Sequence, residues 1–187
     1  MAGESDRQPE ELPLRWVLPD GSAVLVRVVQ PDDAARLERL FYRLSPESIA
    51  SYFFLPLPHQ PRWAAQLGEV AQANGVDHGA LVALVEGEVV GMARYERGPA
   101  SEEAEFALLI EDAWQQRGLG KRLLSRLVQE AQQQRIELFI AYILGENRHA
   151  LRLVAALFAT VQPQWYGREC LIHAPTAALK PVGFSGG

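Results

Sequence analysis

Two closely spaced glycines, Gly118 and Gly120, lie among the basic residues Arg117, Lys121 and Arg122 in a chain of net charge -5. Glycine has no Cβ, so the backbone there can approach a ligand that a side chain would hold off. Leu119, Leu123, Leu124, Leu127, Val128 and Ala131 follow at helical spacing, which predicts an amphipathic helix over Gly118 to Gln134. The free N–H groups and positive dipole end of that helix, set behind the glycines, would cradle an anion such as a pyrophosphate. The cradle fits neither of two common nucleotide motifs. A P-loop needs glycine at 115 and Ser or Thr at 122, where the chain has Gln115 and Arg122. A dinucleotide fingerprint needs a third glycine at 123, where it has leucine. The plainer alternative is that the glycines only make a tight strand-to-helix turn.

The elements that must position this turn are legible from pattern. Ser22 to Val29 is rich in β-branched residues and reads as a strand. Asp32 or Asp33 can cap a helix carrying Leu37, Leu40, Phe41 and Leu44, and Ser45-Pro46-Glu47-Ser48 caps a second, ended by Pro56 and Pro58. Arg62 to Ala73 is a third helical run. Ala80 to Val85 and Val89 to Tyr95 flank Glu86-Gly87-Glu88 as a hairpin, and Ala104 to Ile110 continues the meander. After the glycine helix come a buried strand, Ile136 to Leu144, a helix from Asn147 to Ala159, and a final hairpin, Val161 to Trp165 with Glu169 to Ala174. The fold class is therefore α/β, an α+β mixed sheet with helices on its faces.

The composition, 48% hydrophobic and 22% charged, suits one globular domain, read as Leu14–Leu179 between flexible tails Met1–Pro13 and Lys180–Gly187. The net negative charge argues against nucleic acid as a partner. The single cysteine, Cys170, excludes an intramolecular disulfide and a four-cysteine zinc site, and the four histidines show no metal-ligand spacing, so no metal is expected. No apolar stretch is long enough to span a membrane and the N-terminus has no secretory h-region, so a cytoplasmic location is expected. Trp63, Trp114, Trp165 and Tyr52-Phe53-Phe54 are read as core, with the Phe53-Phe54 region also able to wall a cleft.

Gln115-Gln116-Arg117-Gly118-Leu119-Gly120 resembles the Gln/Arg-x-x-Gly-x-Gly/Ala signature of the GNAT superfamily of N-acetyltransferases. The likeness runs from about Ser22 to Ala174, because the family's element order matches. Leu44-Ser45-Pro46-Glu47-Ser48 with Phe53-Phe54, then Ala104-Glu105-Phe106-Ala107, is similar to the acetyltransferase domain of bacterial protein-lysine acetyltransferases. Those often carry a fused regulatory or synthetase-like domain, which is not expected within these 187 residues. The resemblance implies a mostly antiparallel twisted sheet flanked by helices, acetyl-CoA as co-substrate, no metal, and an amine acceptor, either a protein lysine or a small molecule. A homodimer stays open.

The resemblance also implies roles for single residues. Leu108, Leu109 and Ile110 would offer backbone groups to the pantetheine arm. Gly118 and Gly120 would carry the pyrophosphate, with Gln115, Gln116, Arg117, Leu119 and Lys121 around them. Asn147 would cap its helix and touch the coenzyme. An acceptor ammonium with a pKa near 10.4 must lose a proton before it attacks, so a base is useful. Glu105, on the strand before the glycines, matches the place of the glutamate in the resembling protein-lysine acetyltransferases. It is expected on the face of Ala107 and Leu109, with a carboxyl raised by apolar neighbours. The chain departs from the family where a tyrosine commonly protonates the leaving thiolate: the matching positions are Leu153 and Val154, and valine donates no proton. A coenzyme-binding module with weak or no turnover is therefore the alternative outside enzymes.

Overall fold

A computed structural model describes residues 11–54 and 59–181. Eight strands form one sheet in the order β1-β2-β3-β4-β5-β6-β8-β7: β1 Leu14–Val17, β2 Ala23–Val28, β3 His78–Val85, β4 Glu88–Arg97, β5 Glu103–Ile110, β6 Leu138–Leu144, β7 Gln162–Tyr166 and β8 Glu169–Pro175. Every neighbouring pair is antiparallel except β5 with β6, which is parallel. The helices are α1 Ala34–Arg43, α2 Pro46–Phe53, α3 Pro61–Gly68, α4 Leu119–Gln133 and α5 Arg148–Leu157. The expected mixed sheet is found, with one more strand than the sequence reading has. The additional strand is the short β1, which pairs with β2 and puts Trp16 into the core.

Local chemistry explains most boundaries. Pro46 and Pro61 open α2 and α3 at the position where a missing N–H costs nothing. Ser45 Oγ accepts the Ser48 N–H at 3.1 Å and caps α2 as expected. Glu86 and Gly87, at φ 49° and 83°, make the two-residue turn between β3 and β4, the left-handed pair whose twist matches a hairpin. Pro56 and Pro58, expected to end α2, lie outside the described residues.

The sheet separates two apolar layers. Leu119, Leu123, Leu124, Leu127 and Val128 of α4 pack on one face against Phe106, Phe139 and Ile172. Leu37, Leu40 and Phe41 of α1, with Ile49 and Leu67, pack on the other against Val82, Met92 and Leu109. Truncating one of these fully buried leucines costs about 2–5 kcal/mol. Asp33 is the N-cap residue of α1, but its side chain accepts no N–H of that helix and is turned to other partners. Its side chain is fully buried, with bidentate hydrogen bonds from Arg27 at 2.6 and 2.9 Å, a bond from Arg36 at 3.1 Å and the Gln30 N–H at 2.8 Å. Burial alone would raise its carboxyl, but these donors and the two guanidinium charges outweigh that and hold it below the usual carboxylate range. Trp165 is not core: on the edge strand β7 it is 57% exposed. Lys180, assigned to the tail, donates its N–H to Leu157 and its Nζ to Ala155.

Candidate active site

The parallel strands β5 and β6 pair only over Glu103–Glu105 and Leu138–Ile140. Beyond that they no longer pair with each other, β5 keeping only β4 as far as Ile110 and β6 only β8 as far as Leu144, and a gap opens between their carboxyl ends. Crevices at the carboxyl ends of parallel strands are where open α/β sheets take ligands. The Glu111 N–H bonds Val90 of β4, so by strand alternation the backbone groups of Leu108 and Ile110 point the other way, into the gap. Leu109 turns its backbone to β4 and its buried side chain toward α1 and α2.

Two helix N-termini close the open end of this gap. Gly118, at φ 82°, is the N-cap of α4. The bond from the Arg122 N–H to the Gly118 carbonyl opens the helix, and the N–H groups of Leu119, Gly120 and Lys121 precede it with no intrahelical partner. A Cβ built on Gly118 would meet nothing within 4 Å, so open space lies before these donors. A Cβ on Gly120 would press on Leu108 Cδ2 at 3.3 Å, so this glycine lets α4 lie close to β5. At the end of β6, Asn147 Oδ1 accepts the Ala150 N–H at 3.0 Å and caps α5. Both dipoles thus present positive ends to one crevice. Lys121 is exposed and makes no ion pair among the described residues. Arg117 is held by Asp20 at 2.8 Å and lies over the Trp114 ring, and Arg122 donates to the Val17 carbonyl. Gln116 is exposed at φ 59°.

Glu105 falls on the expected face but not in the expected surroundings. Its side chain is exposed rather than buried among apolar groups, because α1 to α3 cover Leu109 and stop short of the strand's start. Register pairs His78 with Glu96, Glu96 with Glu105, Glu105 with Ile140 and Ile140 with His173, so these side chains form one row on one face. Glu105 lines an open cleft of about 380 Å³ with Glu96, Gly98, Ser101, Glu103 and Ile140. Val154, in the place of the family's tyrosine, is buried in the core at 2% exposure. Of the other proton donors near it in sequence, Tyr142 stands on the Glu105 face of β6, 44% exposed, with its ring 6.5 Å from that of Phe54. Tyr166 donates to Gln164 on the outer strand, and His149 is exposed on the first turn of α5.

One part of the site had no signal in the glycine motif. Asp112, in the turn after β5, accepts the Ser45 N–H at 2.9 Å, the Ser45 hydroxyl at 2.6 Å and the Ser48 hydroxyl at 2.8 Å. Gln115 Nε2 donates to Ser48 Oγ and to the Ile110 carbonyl, each at 3.0 Å. Burial alone would raise the Asp112 carboxyl, but the serine donors outweigh it and hold it low. The pairing of Ser45 with Ser48 was read as a cap alone. Among the described residues, no group of three or more His, Cys, Asp or Glu is placed to hold a metal ion, and no helix is long and apolar enough to cross a membrane.

This sheet, parted at β5 and β6 with a glycine turn at its mouth, is the architecture of acyl-CoA-dependent transferases. The chain matches the acetyltransferase (GNAT) family over residues 39–158 and belongs to it; it is an acetyl-CoA-dependent N-acetyltransferase. Among solved structures, the GNAT domain of S. lividans PAT is similar at 28% identity and TM-score 0.77, over 87% of this chain and 96% of that one. A cAMP-binding acyltransferase from Mycobacterium smegmatis shares the fold at 20% identity and TM-score 0.62, over 88% of this chain but 47% of that longer one. The PaiA N-acetyltransferase from Thermoplasma acidophilum, in complex with coenzyme A, shares it at 13% identity and TM-score 0.63, over 81% and 98%.

Proposed function

We propose that the enzyme transfers acetyl from acetyl-CoA to a cationic amine, with a protein lysine as the acceptor, by direct attack while both substrates are bound. The observation that carries this reading is the exposed Glu105 carboxylate, on the row where β5 and β6 part and opposite a second carboxylate, Glu96. The coenzyme supplies the activated acetyl group. Gly118, Leu119, Gly120 and Lys121 would hold its pyrophosphate, with Gln116 and Arg117 beside them. Gly118 supplies the space and the others the N–H groups and charge. Gln115 shapes the turn, Leu108 and Ile110 offer gap-facing backbone groups, Leu109 anchors their strand, and Asn147 presents the second helix terminus.

The acceptor side is acidic. Glu96, Glu103 and Glu105 line one cleft, which favours an ammonium over a neutral or anionic partner. Glu105 would take the proton that the amine must lose. Placing the lysine within a protein rests on the likeness to bacterial protein-lysine acetyltransferases at Leu44–Ser48, Phe53-Phe54 and Ala104–Ala107. The test pairs two measurements. Coenzyme A should raise the melting temperature, since binding at a hundredfold excess over Kd stabilises the native state by about 2.7 kcal/mol. Acetyl-CoA consumption should then be faster with a lysine peptide blocked at both ends than with free small amines. Preference for a free amine would overturn the protein acceptor, and coenzyme binding without turnover on any amine would favour the binding-module alternative.

A further inference from the structure

Five polar groups join the glycine turn to the acceptor side, and their proton directions are determined. A carboxylate only accepts, so the Ser45 and Ser48 hydroxyls both donate to Asp112. Ser45 Oγ is then left to accept the Ser48 N–H, and Ser48 Oγ to accept from Gln115. The Ile110 carbonyl also only accepts, so the Gln115 atom facing it is the amide nitrogen. Each hydroxyl donates once and accepts once. The network binds residues 67 and 64 apart in sequence, Ser45 and Ser48 to Asp112.

Its two ends matter. One end is the turn that leads from the last gap-facing carbonyl of β5 to the glycines. The other is the N-terminus of α2, whose far end carries Tyr52 and Phe53. The Tyr52 hydroxyl accepts from Arg94 Nε at 3.0 Å, Arg94 Nη1 donates to Glu96 at 3.1 Å, and Glu96 stands opposite Glu105. We infer that Asp112 and Gln115 are positioning residues that make the coenzyme turn and helix α2 one mechanical unit, so that filling the turn stiffens the helix whose Tyr52 holds Arg94 against Glu96 of the acceptor cleft. This rests on the proposed coenzyme site at Gly118 and Gly120. The physical reason is the geometry of the clamp: Asp112 grips α2 at its cap, where helix fraying begins, through three hydrogen bonds to a charged acceptor. A coenzyme that orders the turn orders that grip with it, and the two binding events become coupled by the ordering cost that they share.

The test is amide hydrogen exchange at Ile49–Phe53 with and without saturating coenzyme A, alongside calorimetric titration of coenzyme A. In the native protein, coenzyme A should slow exchange at these amides about tenfold, within the usual range of coupling between sites. In Asp112→Asn the variant should still bind coenzyme A, but the slowing should shrink to less than about twofold. Ser48→Ala, which keeps the Ser45 cap and its two bonds to Asp112 but removes the Ser48 links to Asp112 and Gln115, should shrink it in part and serves if the first variant fails to fold. A merely structural Asp112 would speed exchange equally with and without ligand and leave the ratio unchanged, which would overturn the inference. Tight coenzyme binding by the native chain with no change at α2 would overturn it too, while leaving the coenzyme site in place. No coenzyme binding by the native chain would overturn both.

Discussion

Glu96 and Glu105 face each other directly across the β4–β5 pairing, two carboxylates on one exposed row of the sheet. Like charges in that relation lower sheet stability by some tenths of a kcal/mol. Arg94 compensates Glu96 at 3.1 Å, which leaves Glu105 as the carboxylate on this row without an ion pair among the described residues. In the proposed function this row receives the cationic amine, with Glu105 as the carboxylate that takes its proton.

Glu105→Gln keeps the side chain's shape and removes the proposed base. Turnover at neutral pH should fall by about 10² to 10⁴, with coenzyme affinity retained because the glycine turn lies at the far end of β5. Raising the pH should recover part of the loss, since more of the acceptor amine is then neutral. A rate-against-pH profile decides the matter: equal loss at every pH would mean that Glu105 is not the base.

Gly118→Val and Gly120→Val should both weaken coenzyme binding, for different reasons. At Gly118 the cost is conformational, because φ 82° is a region that a β-branched residue rarely enters, and the new side chain fills the open space before the α4 donors. At Gly120 the new Cβ presses on Leu108 and pushes α4 off β5. Gly118→Val should therefore abolish the coenzyme-dependent rise in Tm. Gly120→Val should also lower the Tm of the ligand-free protein by more than Gly118→Val does, through overpacking of about 1–3 kcal/mol. Thermal melts with and without coenzyme A separate the two.

Asp33→Asn removes the negative partner of a buried ion pair and leaves the Arg27 guanidinium uncompensated. Such losses cost about 3–5 kcal/mol, or roughly 6–20 °C in Tm for a chain of this size. The pH dependence has a definite sign. The folded Asp33 carboxyl lies below its unfolded value, so its stabilisation is complete above about pH 4 and is lost as the pH falls through the lowered folded value. Urea melts should show the gap between native and variant protein at pH 7 narrowing steadily below pH 4. A gap that persists unchanged into that range would contradict the charge-pair account.

Tyr142→Phe tests the missing acid. With Val154 buried, Tyr142 offers a hydroxyl on the Glu105 face near the parting of β5 and β6. Its loss should lower turnover by about 10², whereas Tyr166→Phe, on the outer strand β7, should leave the rate within about twofold, in keeping with surface changes away from a site. Equal rates for both variants would leave protonation of the thiolate to water.

The sequence by itself determined what depends on neighbours along the chain. The glycine turn, the Ser45 cap, the hairpin at Glu86-Gly87 and the stripe of α4 are local decisions of φ, ψ and side-chain spacing, and each stands where its residues indicate. The period of β5 also put Glu105 on the face of Leu109. Tertiary structure decided what covers that face. The helices reach Leu109 and stop before Glu105, so the carboxylate is exposed, and no periodicity encodes where a remote helix ends. The same holds for Trp165, apolar in type but stranded on a sheet edge, and for β1, too short to declare itself until β2 pairs with it. It holds most of all for Asp112 and Ser45. Each is ordinary in its own segment, one in a turn and one at a cap. Their hydrogen bond exists because the whole sheet closes the loop between them, a contact whose entropic cost is met only by the assembled core.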